Sequence, residues 1–255
     1  VNISFMGGET ADVGDVVRTM AVNGTMTARW PKAKLITNEK IKAGNVIVGL
    51  AGFGQANYET SYNSGLASNG LTSARHDILH KTYGARFPES YDTALDESVV
   101  YIGPHRITDE IKDGKRTTTI GDLLLSPTRT FAPVMKELLE NHFDAINGLV
   151  HCSGGGQTKC LKFVSDNVRI VKDNLFEPPI IFKLIQEASK SDDREMYQVF
   201  NMGTRLEVYT NEKDADTIIN VADKFGVAAQ VIGRVEESEK KELVIKSNSI
   251  ELIYY

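Results

Sequence analysis

The sequence predicts a mixed α/β fold, α/β or α+β in class, with helices packed on a mixed β-sheet. Three observations predict it. Short β-branched runs such as Val46-Ile47-Val48-Gly49-Leu50 are continuously apolar, the pattern of strands buried on both faces. Elsewhere apolar residues recur at helical spacing, as in Phe131, Val134, Met135, Leu138 and Leu139 at i, i+3, i+4, i+7 and i+8. Between Leu206 and Val235 a strand, a helix and a strand follow one another within about 30 residues, the usual size of a right-handed crossover unit.

Residues 15–29 (Val16, Val17, Met20, Val22, Met26) suit one or two strands, which Trp30-Pro31 ends. Ile41-Lys42-Ala43-Gly44-Asn45 reads as a turn into the strand at 46–50, and residues 52–70 are loop-rich. A helix is expected over about 70–83, ended by Gly84. Residues 85–120 look polar and irregular apart from a hairpin at Asp113-Gly114, a dipeptide suited to a type I′ turn. Ser126-Pro127-Thr128 then opens the helix of Phe131–Leu139, with Pro133 tolerated close to its first turn.

Strands are expected at 146–150, 168–171, 206–209, 229–235, 243–245 and 250–254. Pro178-Pro179 starts a helix with Ile181, Leu184, Ile185 and Ala188 on one face. Asn211 is a candidate cap for a helix whose inner face is Ile218, Val221, Ala222 and Phe225, closed by Gly226.

Composition bounds the function. With 255 residues and 41% hydrophobic residues the chain can build a real core. The net charge of −5 and the lack of a basic patch speak against a nucleic-acid partner. Two cysteines, Cys152 and Cys160, are too few for a disulfide scaffold and have no CxxC spacing, so both are read as packing residues of a reduced, cytoplasmic protein. No apolar run approaches the roughly 18 residues of a membrane span. His76 and His80 share a helical i, i+4 spacing that can bind zinc, but no third ligand is evident and a solvated helix face is expected. A chain that begins with Val1 and reaches a glycine motif by residue 7 reads as part of a longer one.

Two glycine turns carry the chemistry. Gly7-Gly8-Glu9-Thr10-Ala11 follows an apolar stretch, and His151-Cys152-Ser153-Gly154-Gly155-Gly156 follows a strand and precedes a helix expected from about 157. Glycine lets backbone N–H groups approach a ligand closely, and a run of them forms an anion nest. Glu9, with Asp12 and Asp15 nearby, could hold a metal bound to phosphate. The second turn lacks the Gly-Lys-Ser/Thr of a P-loop. The pair suggests a protein that handles phosphate esters and nucleotides.

Read jointly, five ordered blocks resemble the aminoimidazole ribonucleotide (AIR) synthetase family, also called phosphoribosylformylglycinamidine cyclo-ligase. They are Gly7–Ala11, Ser68-Asn69-Gly70-Leu71, Ser126-Pro127-Thr128-Arg129, His151–Gly156 and Glu195-Met196-Tyr197-Gln198-Val199-Phe200-Asn201-Met202-Gly203. The likeness covers essentially the whole chain except about 84–121, which looks like an insertion. It implies ATP- and Mg²⁺-dependent closure of formylglycinamidine ribonucleotide to the imidazole ring in purine biosynthesis. ATP phosphorylates the formyl amide oxygen, and the amidine nitrogen then attacks that carbon as phosphate leaves.

By the same resemblance, Gly7, Gly8, Glu9, Thr10 and Asp12 stand on the ATP side, with Glu9 and Asp12 toward the metal. Ser68, Asn69, Gly70, Ser153, Gly154, Gly155, Gly156 and Asn201 line the substrate side, and His151 and Glu9 are the catalytic candidates. Residues 1–38 would end an N-terminal ATP-binding domain, and 39–255 would be the C-terminal substrate domain of a homodimer. Residue 67 is Ala where many members carry a His. A sibling enzyme of the formylglycinamidine synthetase or thiamine-phosphate kinase type, or a non-catalytic phosphate-ligand-binding domain, is the alternative.

Overall fold

The computed structural model describes residues 22–68, 70–247 and 250–255. In chain order the regular elements open with β1 (Asn45–Ala51), β2 (Phe53–Gly54), β3 (Asn63–Ser64), α1 (Leu71–Ile78), α2 (Thr82–Arg86), β4 (Glu110–Asp113) and β5 (Arg116–Thr119). They continue with α3 (Ile120–Leu125), α4 (Ala132–Asn141), β6 (Gly148–His151), β7 (Val168–Lys172), α5 (Ile180–Ser189) and α6 (Asp193–Val199). The last are β8 (Thr204–Asn211), α7 (Ala215–Lys224), β9 (Ala229–Glu237), β10 (Glu242–Ser247) and β11 (Ile250–Tyr254).

Seven strands form one sheet in the order β11-β10-β7-β9-β1-β8-β6. Only β10 and β7 pair in parallel; every other neighbouring pair in this sheet is antiparallel. The expected crossover unit is present in split form. β8 and β9 run parallel, but β1 lies between them and α7 makes the connection.

Both faces of the sheet are covered, which explains the continuous apolar runs. Ile47, Ile170, Tyr209, Val235 and Ile245 face a core completed by α1, α3, α5 and α6, with Ile78, Leu123, Phe182 and Met196 buried. Val48, Leu50, Leu206 and Val208 face α4 and α7 through Val134, Leu138, Ile218 and Val221. Complete burial of each such side chain contributes about 1.5–3 kcal/mol relative to exposure.

Several expectations need correction. Residues 22–29, the described part of the stretch read as strand, form no regular structure, and Val22 and Met26 are exposed. The helix expected over 70–83 stops at Ile78, because Leu79 turns extended (φ −84°, ψ 146°), and Gly84 lies inside α2 rather than ending a helix. The helix of Phe131–Leu139 begins at Ala132, so Ser126–Arg129 is a connector. After the His151–Gly156 turn comes a 3₁₀ segment, Gly156–Lys162, not an α-helix. Asn211 does not cap α7; its amide reaches Asp214 and a 3₁₀ turn intervenes.

α3 and α6 were missed although both carry start signals. Thr119 and Asp122 form a reciprocal capping box, and Asp192 accepts from the Glu195 amide. The hairpin at Asp113-Gly114 is borne out, with Gly114 at φ 62°. The segment 84–121 is woven into the core. The Tyr101 side chain packs among His76, Tyr83 and Tyr91, and its hydroxyl takes part in hydrogen bonds with Ser90 and Arg75.

His76 is 7% exposed, not solvated. Its Nδ1 accepts the Tyr101 amide at 3.2 Å, which requires the ring to be unprotonated there. Burial, then the Arg75 cation, pushes its pKa below the ordinary value, against a smaller opposing pull from Asp77.

A buried ion pair joins the sheet to the segment that carries the second glycine turn. Lys172 and Glu207 are both 0% exposed and bonded to each other. Lys172 Nζ also donates to the Gln157 carbonyl (2.7 Å) and Gln157 Oε1 (3.0 Å). Glu207 also accepts from the Tyr209 hydroxyl (2.9 Å) and the Cys152 thiol (3.3 Å). Burial alone would lower the Lys172 pKa, but its neighbours Cys160, Glu207 and Cys152 hold it above the usual lysine range. Burial pushes the Cys160 thiol up to about 11 and the Cys152 thiol well above its ordinary value, so both stay protonated at neutral pH.

We expect Lys172→Met to destabilise by about 3 kcal/mol or more, because it strands the Glu207 charge. Urea unfolding of Lys172→Met, Glu207→Leu and the double variant checks this; a double variant no more stable than the singles would rule it out. His76 generates an acid-side expectation. The folded pKa is depressed, so its contribution is complete above the unfolded value near 6.5 and is lost as pH falls through the folded value. Thermal melts at pH 7.5 and 5 should show a smaller loss on acidification in His76→Asn, and an equal loss would refute the assignment.

Candidate functional site

Three of the five sequence blocks meet at Phe200 and Asn201, and a fourth, Ser126–Arg129, joins them through Ser68. Gly70 takes a left-handed conformation (φ 81°), and a Cβ there would stand 2.4 Å from the Phe200 ring. Gly156 is also left-handed (φ 49°), and its Cβ would stand 2.5 Å from the Phe200 carbonyl oxygen. Only glycine fits both positions without displacing Phe200, so this one residue packs against both loops.

Asn201 is the link between them. Its amide donates to Gly65 O (2.9 Å), and its Oδ1 accepts the Gly203 amide (2.9 Å). Its carbonyl accepts from Gln157 Nε2 (2.6 Å), directly after the Gly154–Gly156 turn. Asn201 is buried with its polar groups engaged, so it positions the loops rather than facing a ligand.

The Ser126–Arg129 block is the third support. Thr128 Oγ1 accepts the Ser68 amide (3.2 Å) and lies 3.3 Å from Ser68 Oγ. Arg129 points inward. It holds Glu59 with two hydrogen bonds (2.9 and 2.6 Å) and donates to the Ala51 and Phe53 carbonyls (both 2.8 Å). Burial raises the Glu59 pKa, and the Arg129 bonds with the Ala56 amide outweigh that and lower it. A cavity of about 390 Å³ lined by Ser61, Tyr62, Arg116, Ser126 and Pro127 opens beside this connector.

Ser68 is exposed, and Gly70 is half-buried ahead of α1. In the second turn His151 and Gly154 are exposed, Ser153 and Gly155 half-buried, and Gly156 buried. The turn is held by Ser153 N to His151 O (2.8 Å) and Gly156 N to Ser153 O (2.9 Å). Lys159 Nζ donates to Ser153 Oγ (2.6 Å). The His151 pKa is lowered first by shielding of its ring from water, then by the Arg205 and Lys159 cations, which favours neutral imidazole at pH 7. Gly7, Gly8, Glu9, Thr10, Asp12 and Asn69 lie outside the described residues.

The side chains around this turn suit an anion. Among the described residues no group of three His, Cys, Asp or Glu side chains could hold a metal ion, and the cations Lys159 and Arg205 beside the turn would repel one. The described part of the site therefore does not fit Mg²⁺. The motif reading missed Arg205; Lys159, three residues past Gly156, stands near the turn in the sequence but at a different offset from a P-loop lysine.

Known proteins resemble this chain over most of its length. Phosphoribosylformylglycinamidine cyclo-ligase of Methanocaldococcus jannaschii is 37% identical over 238 residues, 93% of this chain and 57% of that protein. The enzyme of the same name from Methanococcus vannielii is 30% identical over 253 residues, 99% of this chain and 62% of that protein. This chain thus spans less than two thirds of the length of these curated relatives. Among solved structures, E. coli HypE, a hydrogenase maturation protein, aligns over 86% of this chain and 51% of its own, with a TM-score of 0.45 and 13% identity. The family model described as AIR synthase related protein, C-terminal domain, matches residues 42–246, and this chain belongs to that family.

Proposed function

We propose that this chain is the substrate-binding part of an ATP-dependent cyclo-ligase that closes formylglycinamidine ribonucleotide to aminoimidazole ribonucleotide. The observation that carries the reading is the meeting of three blocks at Phe200 and Asn201, which sets the Gly70 and Gly156 loops against one residue, with the Ser126–Arg129 block bracing Ser68 from the other side. Its support in comparison is the family membership together with relatives named as cyclo-ligases.

The reaction needs no protein nucleophile. It needs one substrate held so that its amidine nitrogen and its activated formyl carbon meet, and donors aimed at a phosphate that leaves. The Ser153–Gly156 turn and Ser68–Gly70 would hold the substrate. His151, favoured neutral by its surroundings, would take a proton from the amidine nitrogen as it attacks. ATP binding falls to Gly7, Gly8, Glu9, Thr10 and Asp12, with Glu9 and Asp12 the residues that would meet Mg²⁺ and Glu9 a second catalytic candidate. In this reading residues 1–38 close an ATP-binding unit, residues 39–255 form the substrate domain, and the working protein is a cytoplasmic homodimer. Among the described residues no helix is long and apolar enough to cross a membrane.

Coupled ADP release with formylglycinamidine ribonucleotide, ATP and Mg²⁺ tests the reading, on this chain and on the product of its gene's complete reading frame. We expect substrate-dependent ADP release from the latter. ADP release that ignores this substrate but responds to the corresponding amide, formylglycinamide ribonucleotide, with a nitrogen donor would move the chain to a sibling enzyme; none with any substrate would make it a binding domain. Within an active protein, His151→Asn should lower kcat by about 10²-fold or more, the usual contribution of a positioned base. An unchanged kcat removes His151 from the chemistry.

A further inference from the structure

The guanidinium of Arg205 is 2% exposed, yet no carboxylate pairs with it among the described residues. Its Nη1 donates to the Cys152 carbonyl at 3.0 Å, inside the second glycine turn, and its Nε has no partner among those residues. The neighbouring carboxylate on the same strand, Glu207, is already committed to Lys172. Burial weakens the hold of Arg205 on its proton, and the compensating influence is the Cys152 thiol, which is itself kept protonated.

A buried, unpaired cation is costly, because desolvation removes several kcal/mol of hydration that no partner charge returns. Lys159 stands on the other side of the turn. It too has no carboxylate partner among the described residues and rests on Ser153 Oγ, a neutral acceptor. The two cations therefore flank Ser153–Gly156, one beneath it and one at its rim, in a chain whose net charge is −5. A locally uncompensated positive field in an acidic protein marks a place where a ligand brings the missing negative charge.

We propose that Arg205 and Lys159 make the 151–156 turn a receptor for a doubly charged terminal phosphoryl group, with the two residues setting its selectivity for a phosphate over the neutral sugar. This rests on the substrate-side reading of the turn and adds the charge logic and two specificity residues that the glycine pattern does not contain. Lys159 releases Ser153 Oγ to meet the phosphate, so lysine and hydroxyl both become donors. Arg205 acts from beneath, where the low dielectric leaves its field unscreened.

The test is calorimetric titration of the protein with ribose 5-phosphate, ribose and a non-hydrolysable ATP analogue, alongside NMR of the arginine Nε–Hε resonances. Ribose 5-phosphate should bind and ribose should not. Lys159→Gln, at a half-buried surface position, should weaken ribose 5-phosphate at least tenfold while leaving the melting temperature unchanged. The Arg205 Hε resonance, assigned by its loss in Arg205→Lys, should shift with ribose 5-phosphate. A shift with the ATP analogue alone would assign the receptor to the transferred phosphoryl group instead of the ribonucleotide phosphate.

Equal behaviour of ribose and ribose 5-phosphate, or unchanged affinity in Lys159→Gln, would overturn the proposal. So would an Hε shift produced by Glu9→Gln, Asp12→Asn or Asp15→Asn without ligand, which would make an N-terminal carboxylate the partner of Arg205. Substrate-dependent ADP release with no effect of Lys159→Gln on KM would sink this inference and leave the cyclo-ligase reading standing. Phosphate-selective binding without ring closure would do the reverse.

Discussion

The Lys172–Glu207 pair is the constraint on which the loop arrangement hangs. Lys172 sits on β7 and Glu207 on β8, with β9 and β1 between them. The register places Gly233 opposite Lys172 and Gly49 opposite Glu207, so the two intervening strands carry no side chain at those positions. From Lys172 the network passes to Gln157, from Gln157 to the Asn201 and Thr204 carbonyls, and from Asn201 to Gly65. A buried pair is weak as a source of net stability, since desolvation offsets much of the attraction. Its value here is positional. Each member has one arrangement that satisfies it, and that arrangement fixes the depth at which the 151–156 turn sits against the sheet.

The architecture was legible in the sequence where burial and periodicity agree. β1, β8, α4, α5 and α7 follow from apolar runs and helical spacing, because each buries one strong apolar face or two. The failures have physical causes. Residues 22–29 have strand-like composition but no neighbouring strand among the described residues, and composition cannot supply a pairing partner. α1 stops short of Gly84 because Leu79 and His80 turn to meet the 102–105 segment through backbone hydrogen bonds, a contact no local rule contains. His76 looked solvated because the residue that covers it, Tyr101, lies 25 positions away.

The site was legible in a different way. Order and spacing of the motifs gave the loops, while the roles within them emerged only from contacts. Asn201 looked like a ligand residue and is an internal brace, and Arg129, known only as the end of a motif, is another. Arg205 left no motif signal, because an arginine at the start of a strand is unremarkable until its burial and missing counter-charge are seen. Motif reading finds where backbone must bend. It does not say which charges the bend encloses.

The loops are also held in strained geometry, which bears on how they work. Ala67 (φ 61°) and Met202 (φ 50°) are non-glycine residues in the left-handed region, each buried and each beside a loop that meets Phe200. Such conformations cost about 1–3 kcal/mol and persist only where surroundings over-determine them. Here the surroundings are visible: Ser68 N on Thr128 ahead of α1, Gly65 O on Asn201 behind Ala67, and Gly203 N on Asn201 beyond Met202. Strain balanced by fixed hydrogen bonds describes loops set before any ligand arrives, not loops that fold around one. Under the proposed ring closure, where two ends of one substrate must be brought together, a preset cradle would contribute through orientation and avoid an ordering cost at each turnover.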